Sequence, residues 1–216
     1  MKQFSHLVFD LDGTLIDSST GVVDAVNYSL RMMNQPEQPR ERIARFIGFP
    51  LSCMYREFTS VSVEELHRHF QSRASEVMVA SAVVLDGVPE TLEQLHRAGY
   101  KMAIATTKIR AHVEGIVEKH GWGRYFDALV ASDEVVKVKP APDAFRLAVE
   151  RLGSIPRRAI VVGDTINDVH AAHAVPMKVV AVESPYGDLA ELQASRPDYL
   201  IKSLSELPKL LETLNN

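Results

Sequence analysis

The sequence has little of several features that would restrict its class. Its 216 residues include a single cysteine, Cys53, so no disulfide can form within the chain, as is usual in a reducing compartment. No stretch approaches the roughly 20 apolar residues of a membrane span. The first apolar run, at residues 7–9, ends in an aspartate and is too short for a secretory signal. We therefore expect a cytoplasmic protein without a membrane partner.

A strong excess of one charge is also missing. The 24 basic and 28 acidic residues leave a formal net charge of -4, which gives no reason to expect nucleic acid as a partner. Hydrophobic residues make up 46% of the chain, an ordinary share for a globular protein. Between Ser18 and Leu85 there is no lysine at all, and this absence bears on the chemistry below.

Short apolar runs alternate with helical patterns in the last two thirds of the chain. The runs lie at residues 102–105, 128–131, 159–162 and 178–182, and another precedes Asp10. Alternating strands and helices indicate βαβ units, and nearly continuous apolar strands indicate a sheet that is buried on both faces. The sequence therefore predicts an α/β fold, a Rossmann-like parallel sheet flanked by helices.

A helical stretch interrupts this pattern directly after the first strand. Val22, Val26 and Leu30 share one helical face, and Ser62 with Glu65 forms a capping box that opens a longer helix. Helices of this kind cannot add strands to the sheet. We therefore predict an α/β core of residues 1–16 and 84–216, with a small all-helical cap domain of residues 17–83.

The first polar segment at a predicted strand end is Asp10-Leu11-Asp12-Gly13-Thr14. Ligands of open parallel sheets bind beyond the carboxyl ends of the strands. Alternation along an extended chain lets Asp10 and Asp12 face the same side, and Gly13 lets the backbone approach an anion. One carboxylate can then attack phosphorus while the other moves protons. The same sequence could also form a solvated acidic turn without a catalytic role.

Three further polar segments close other predicted strands or open helices. Thr106 and Thr107 offer hydroxyl and backbone N–H groups to phosphate oxygens. Lys139, beside a proline-stiffened turn, could balance phosphate charge and hold a carboxylate. Asp164 and Asp168 lie four residues apart at a helix start, where they could hold a metal ion or simply cap the helix.

These four segments, in this order, resemble the motifs of the haloacid dehalogenase superfamily of phosphotransferases. The resemblance covers nearly the whole chain. The helical insert is similar to the cap of the phosphoglycolate-phosphatase-like group, and two segments resemble loops of that group, Gly48-Phe49-Pro50-Leu51 and Gly87-Val88-Pro89-Glu90-Thr91-Leu92.

The resemblance implies a role for each matching residue. Asp10 would attack phosphorus and become an aspartyl phosphate, and Asp12 would protonate the leaving oxygen and then activate water. Thr106 and the Gly13 backbone would bind the phosphoryl oxygens, and Lys139 would stabilise the charge on nucleophile and phosphate.

The resemblance also implies a magnesium ion. Its ligands would be Asp10, the carbonyl oxygen of Asp12 and Asp164, with Asp168 in support. Magnesium prefers oxygen ligands and neutralises phosphoryl groups, which agrees with this set.

Several chemistries stay open within this superfamily. Thr14 stands where the sugar phosphomutases usually carry valine, and the lysine-free cap argues against the phosphonate hydrolases, which need a cap lysine. Arg45 is our candidate for binding a substrate carboxylate or second phosphate. We expect a small phosphorylated substrate, such as phosphoglycolate, a sugar phosphate or a nucleotide. A pyrophosphatase, a phosphomutase and a phosphate-sensing scaffold are the alternatives, and monomer or dimer is left open.

Overall fold

The computed structural model describes residues 2–216, in which strands and helices follow one another in the predicted order. The strands are β1 (His6–Phe9), β2 (Ile16–Asp17), β3 (Val83–Val84), β4 (Lys101–Ala105), β5 (Ala128–Val130), β6 (Ala159–Gly163), β7 (Lys178–Val182) and β8 (Tyr199–Ile201). The helices are α1 (Ser19–Met32), α2 (Arg40–Ala44), α3 (Leu51–Phe58), α4 (Val63–Ser81), α5 (Val88–Arg97), α6 (Arg110–Lys119), α7 (Asp143–Arg151), α8 (Ile166–His173), α9 (Leu189–Ala194) and α10 (Leu207–Asn215). In this part of the chain no helix combines the length and apolar character needed to cross a membrane.

Six strands form one parallel sheet in the order β5-β4-β1-β6-β7-β8. β1 lies inside it, with Leu7 in register with Met102 of β4 and with Ile160 of β6. Leu7 and Phe9 join one buried apolar cluster, whereas Val8 joins the cluster on the opposite face. Burial on both faces accounts for the continuous apolar runs, and the predicted α/β fold is confirmed.

The helices α1 to α4 pack around a third apolar cluster, to which Tyr186 of the core also contributes. Val22, Val26 and Leu30 contribute to it from one face of α1, as their spacing predicts. Ser62 caps α4, because its hydroxyl accepts a hydrogen bond of 3.3 Å from the Glu65 N–H. We call residues 17–83 the cap, and its independence as a domain stays a prediction.

The chain enters and leaves the cap through a two-stranded antiparallel ribbon. Ile16 of β2 pairs with Val84 of β3, and Asp17 pairs with Val83. The sequence predicts only two short connections here, because strands of two residues are too short to show an alternating pattern. The ribbon follows closely after the carboxyl end of β1, so the cap is tied to the chain beside that strand end.

Candidate active site

The carboxyl ends of neighbouring strands bring the predicted polar residues together. Asp10 follows β1, Thr106 follows β4, and Asp164 follows β6. Lys139 joins them from the loop between β5 and α7. The four residues are no more than 2% exposed. Because β1 lies between β4 and β6, these side chains meet at one edge of the sheet.

Lys139 is the cation at the centre of this cluster. Its Nζ lies 2.6 Å from Oδ1 of Asp10 and 2.6 Å from Oδ1 of Asp168, and it donates to the Ala105 carbonyl oxygen at 3.2 Å. These contacts engage the three donors of an ammonium group. Burial lowers the pKa of Lys139, but the two carboxylates outweigh it and hold the pKa above its usual value. The side chain therefore stays charged and fixes both carboxylates.

Asp168 caps a helix and belongs to the site at the same time. Its Oδ2 accepts hydrogen bonds from the Thr165 backbone N–H at 3.1 Å and from the Thr165 hydroxyl at 2.7 Å, which closes the start of α8. Its Oδ1 binds Lys139. Asp168 thus caps the helix and binds Lys139 with its other oxygen, and the metal role that the sequence offers as the alternative stays a prediction.

Three carboxylates are arranged as a metal site would need them. Asp10, Asp164 and Asp168 each offer an oxygen, and these oxygens lie within 4.8 Å of one another. Oδ1 of Asp164 accepts from the Thr14 hydroxyl at 2.9 Å, whereas its buried Oδ2 has no partner within residues 2–216. A Cβ at Gly13 would lie 2.1 Å from that same oxygen. The space beside Asp164 Oδ2 thus depends on glycine.

The buried charges of the site do not balance. Four buried carboxylates face two buried lysines, which leaves a formal charge of -2; these residues are Asp10, Asp12, Asp164, Asp168, Lys108 and Lys139. Burial raises the pKa of Asp10 to about 7 although Lys139 opposes the shift, and burial raises the pKa of Asp164 well above its usual value. One divalent cation would restore neutrality, so an oxygen-binding ion such as magnesium fits this donor set.

Asp12 has a different environment from Asp10. Its Oδ1 lies 2.9 Å from Nζ of Lys108 and accepts a hydrogen bond from the Ser18 hydroxyl. Lys108 is buried, and its Nζ also lies 3.4 Å from the Met78 sulfur of α4. Neither Lys108 nor Ser18 is predicted from the sequence as a site residue. The signal for Lys108 was its position two residues after Thr106, the same spacing that singled out Asp12.

Two cavities lie where cap residues face core residues. The larger, of about 660 Å³, is lined by Asp12 and Thr107 among others. The smaller, of about 220 Å³, is lined by Arg45 and Asp164 among others. The structure therefore brings Thr107 to the Asp12 side of the site. It places Arg45, an exposed residue, on the Asp164 side.

Known proteins match this chain over most of its length, both in sequence and in structure. The pattern of the family described as haloacid dehalogenase-like hydrolase matches residues 7–182. The chain is 34% identical over 212 residues to the pyrophosphatase PpaX of Bacillus velezensis, covering 95% of both chains. It is 32% identical over 208 residues to the "Probable phosphatase IndB" of Dickeya dadantii, covering 93% of this chain and 90% of that one. The crystal structure of a predicted phosphoglycolate phosphatase from Haemophilus somnus matches with a TM-score of 0.87 and 26% identity, covering 97% of this chain and 99% of that one.

The α/β fold and the matching family pattern define a hydrolase. The chain belongs to the haloacid dehalogenase-like hydrolases, whose pattern spans most of its length. The resemblance stated from the motifs and the prediction of an enzyme of the phosphatase class are thereby confirmed.

Proposed function

We propose that the protein is a magnesium-dependent phosphatase that hydrolyses small-molecule phosphate monoesters in the cytoplasm through an aspartyl phosphate on Asp10. One observation carries the proposal. Asp10 is held by Lys139 in a buried cluster with a surplus charge of -2, while Asp12, two residues away, lines the larger cavity beside Lys108. Two neighbouring carboxylates with separate surroundings suit the separate roles of nucleophile and acid–base.

The chain's own residues can perform each proton and phosphoryl transfer. Asp10 attacks phosphorus, the ester P–O bond breaks, and Asp12 gives its proton to the leaving alcohol oxygen. Asp12 then takes a proton from water, which attacks phosphorus and breaks the bond to Asp10, releasing inorganic phosphate. The Thr106 hydroxyl would bind a phosphoryl oxygen during both steps. The Gly13 backbone N–H, expected from the resemblance to do the same, donates instead to the Ile16 carbonyl oxygen at 2.8 Å.

A magnesium ion, when bound, would neutralise charge on the phosphoryl group. The residues that would hold it are Asp10, Asp164 and the carbonyl oxygen of Asp12, with Asp168 in support. The unpartnered oxygen of Asp164 supports this assignment.

Pyrophosphate is a second candidate substrate, favoured by the name of the Bacillus velezensis relative. A phosphomutase is disfavoured because Thr14 uses its hydroxyl on Asp164, whereas the mutases of this group usually carry valine at that position. A scaffold without turnover would be expected to lose catalytic residues, and the motif residues are present.

The experiment is phosphate release from p-nitrophenyl phosphate with and without magnesium. We expect turnover that is abolished by EDTA and by Asp10→Asn, and retained by Asp86→Asn, a matched change at an exposed aspartate. Acid-quenched enzyme should carry one phosphoryl group per chain, which Asp10→Asn removes. Normal turnover in Asp10→Asn would refute the nucleophile, and phosphoryl release independent of magnesium would refute the cofactor.

A further inference from the structure

The larger cavity lies where the leaving group of the substrate must go. Asp12 lines it, and the group that protonates the leaving oxygen must lie within hydrogen-bond reach of that oxygen. The rest of the alcohol part extends away from phosphorus and therefore into the same cavity. The shape and charge of this cavity thus decide which esters fit.

The walls of the larger cavity are predominantly apolar. The cap contributes side chains from α1, from the segment that includes the Gly48 loop and α3, and from α4, and the core contributes the start of α6. The apolar lining includes Val22, Phe46, Leu51, Met54, Phe70 and Ile109. Such walls favour an apolar body, because its contact with them removes apolar surface from water.

The charges around the larger cavity disfavour a second anionic group on the substrate. Within residues 2–216 no arginine lines it, and Lys108 is already paired with Asp12 at 2.9 Å. His112 is buried, and burial together with Lys108 lowers its pKa, which keeps the ring neutral near pH 7. Glu64 and Asp133 add negative charge to the lining. A carboxylate or second phosphate would lose water here, and the basic side chains it would meet are Lys108, already paired with Asp12, buried His112 and exposed His67.

The volume of the larger cavity also favours a substrate with a bulky body. About 660 Å³ is a typical size for a pocket that binds a drug-sized molecule, and a compact anion such as pyrophosphate would leave most of it empty. We propose that the preferred substrate is a phosphate monoester whose alcohol part is a bulky apolar group, aromatic or branched aliphatic, without a second negative charge. This inference rests on the proposed phosphatase function and adds its substrate class.

A series of alkyl phosphates tests the proposal on the unmodified enzyme. Methyl, ethyl, butyl and hexyl phosphate, together with naphthyl phosphate, phosphoglycolate and pyrophosphate, are compared by kcat/KM at saturating magnesium. We expect kcat/KM to rise about fourfold per added methylene, as expected for burial of one CH₂ group. Naphthyl phosphate should exceed phosphoglycolate and pyrophosphate at least tenfold.

Variants of the cavity wall provide a second test. Leu51→Arg places a cation among the apolar side chains and should lower the ratio of hexyl to methyl phosphate while raising the ratio of phosphoglycolate to methyl phosphate at least tenfold. Met32→Arg is the matched control, because Met32 is an exposed apolar residue of the same cap that does not line the cavity within residues 2–216. If Leu51→Arg does not fold, Val63→Arg makes the same change on α4.

The outcomes separate the two levels of the proposal. A rise with chain length and a reversed preference in Leu51→Arg would support the apolar substrate class. Turnover that is flat along the series, or faster with phosphoglycolate or pyrophosphate, would overturn the substrate class and leave the phosphatase standing. No magnesium-dependent hydrolysis of any compound would overturn the phosphatase function itself, and the substrate class with it.

Discussion

Replacing Lys139 with methionine tests how the buried site is held together. The change keeps most of the side-chain volume but removes the ammonium that lies 2.6 Å from both Asp10 and Asp168. The formal charge of the buried cluster falls from -2 to -3. Removing one partner of a buried ion pair costs about 3–5 kcal/mol, so we expect a loss of that size in the free energy of unfolding. Without the cation beside the nucleophile, kcat should fall on the order of 1,000-fold.

The assay is urea unfolding in EDTA, followed by circular dichroism, beside steady-state hydrolysis. Lys137→Met is the matched control, because this exposed lysine of the same loop should tolerate the change. Adding Asp168→Asn to Lys139→Met returns the charge to -2 and should recover about half of the lost stability but none of the activity. A Lys139→Met protein within about 1 kcal/mol of the control, with no gain from the second change, would refute the charge-balance reasoning.

Three further outcomes are expected. Magnesium at 100 times its dissociation constant should raise the free energy of unfolding by about 2.7 kcal/mol, and Asp164→Asn should abolish most of this gain in thermal melts. Gly13→Ala should weaken magnesium binding, measured by calorimetry, because its Cβ would clash with Asp164 Oδ2, whereas Gly99→Ala has a similar positive φ and open space and should affect stability alone. Tyr186→Phe should lower the free energy of unfolding, measured in urea, by about 1–3 kcal/mol, because the Tyr186 hydroxyl donates to Asp17 and accepts from the Ser18 N–H. Burial raises the pKa of Asp17, but hydrogen bonds from Ser19 and Tyr186 outweigh burial and hold this pKa below 3.8. The stabilisation that ionised Asp17 contributes to the fold is therefore present above pH 3.8 and is lost as the pH falls further.

The sequence predicts the core well because the central strands of the sheet, such as β1 and β6, are buried on both faces. Continuous apolar runs, each ending in a polar residue, locate the strand ends, and a parallel sheet brings those ends to one edge. Asp10, Thr106 and Asp164 could therefore be placed near one another from the order of the strands, whereas Lys139, in the loop between β5 and α7, could not. Their hydrogen-bond partners could not, because a pattern along the chain does not reveal which oxygen of a carboxylate faces which donor.

The sequence does not predict which cap residues contact the core. Lys108 reaches both Asp12 and the Met78 sulfur, 30 residues away in the chain, and no local periodicity signals such a contact. Arg45 stood out because it precedes the Gly48 loop. Arg45 lines the smaller cavity because of how the cap packs against the core, and no pattern along the sequence predicts that packing.

The two carboxylates of the first motif differ in whether a cap residue binds them. Asp10 is held by Lys139, a core residue that is itself fixed by Asp168 and the start of α8. Asp12 is paired with Lys108 of the core and also accepts a hydrogen bond from Ser18, the residue that precedes the first cap helix. Movement of the cap about the β2–β3 ribbon would therefore change one partner of Asp12, the proposed acid–base, and leave the partners of Asp10, the proposed nucleophile, in place. In the proposed reaction, such a site would hold the phosphoryl group in one position while the cap adapts to the leaving alcohol.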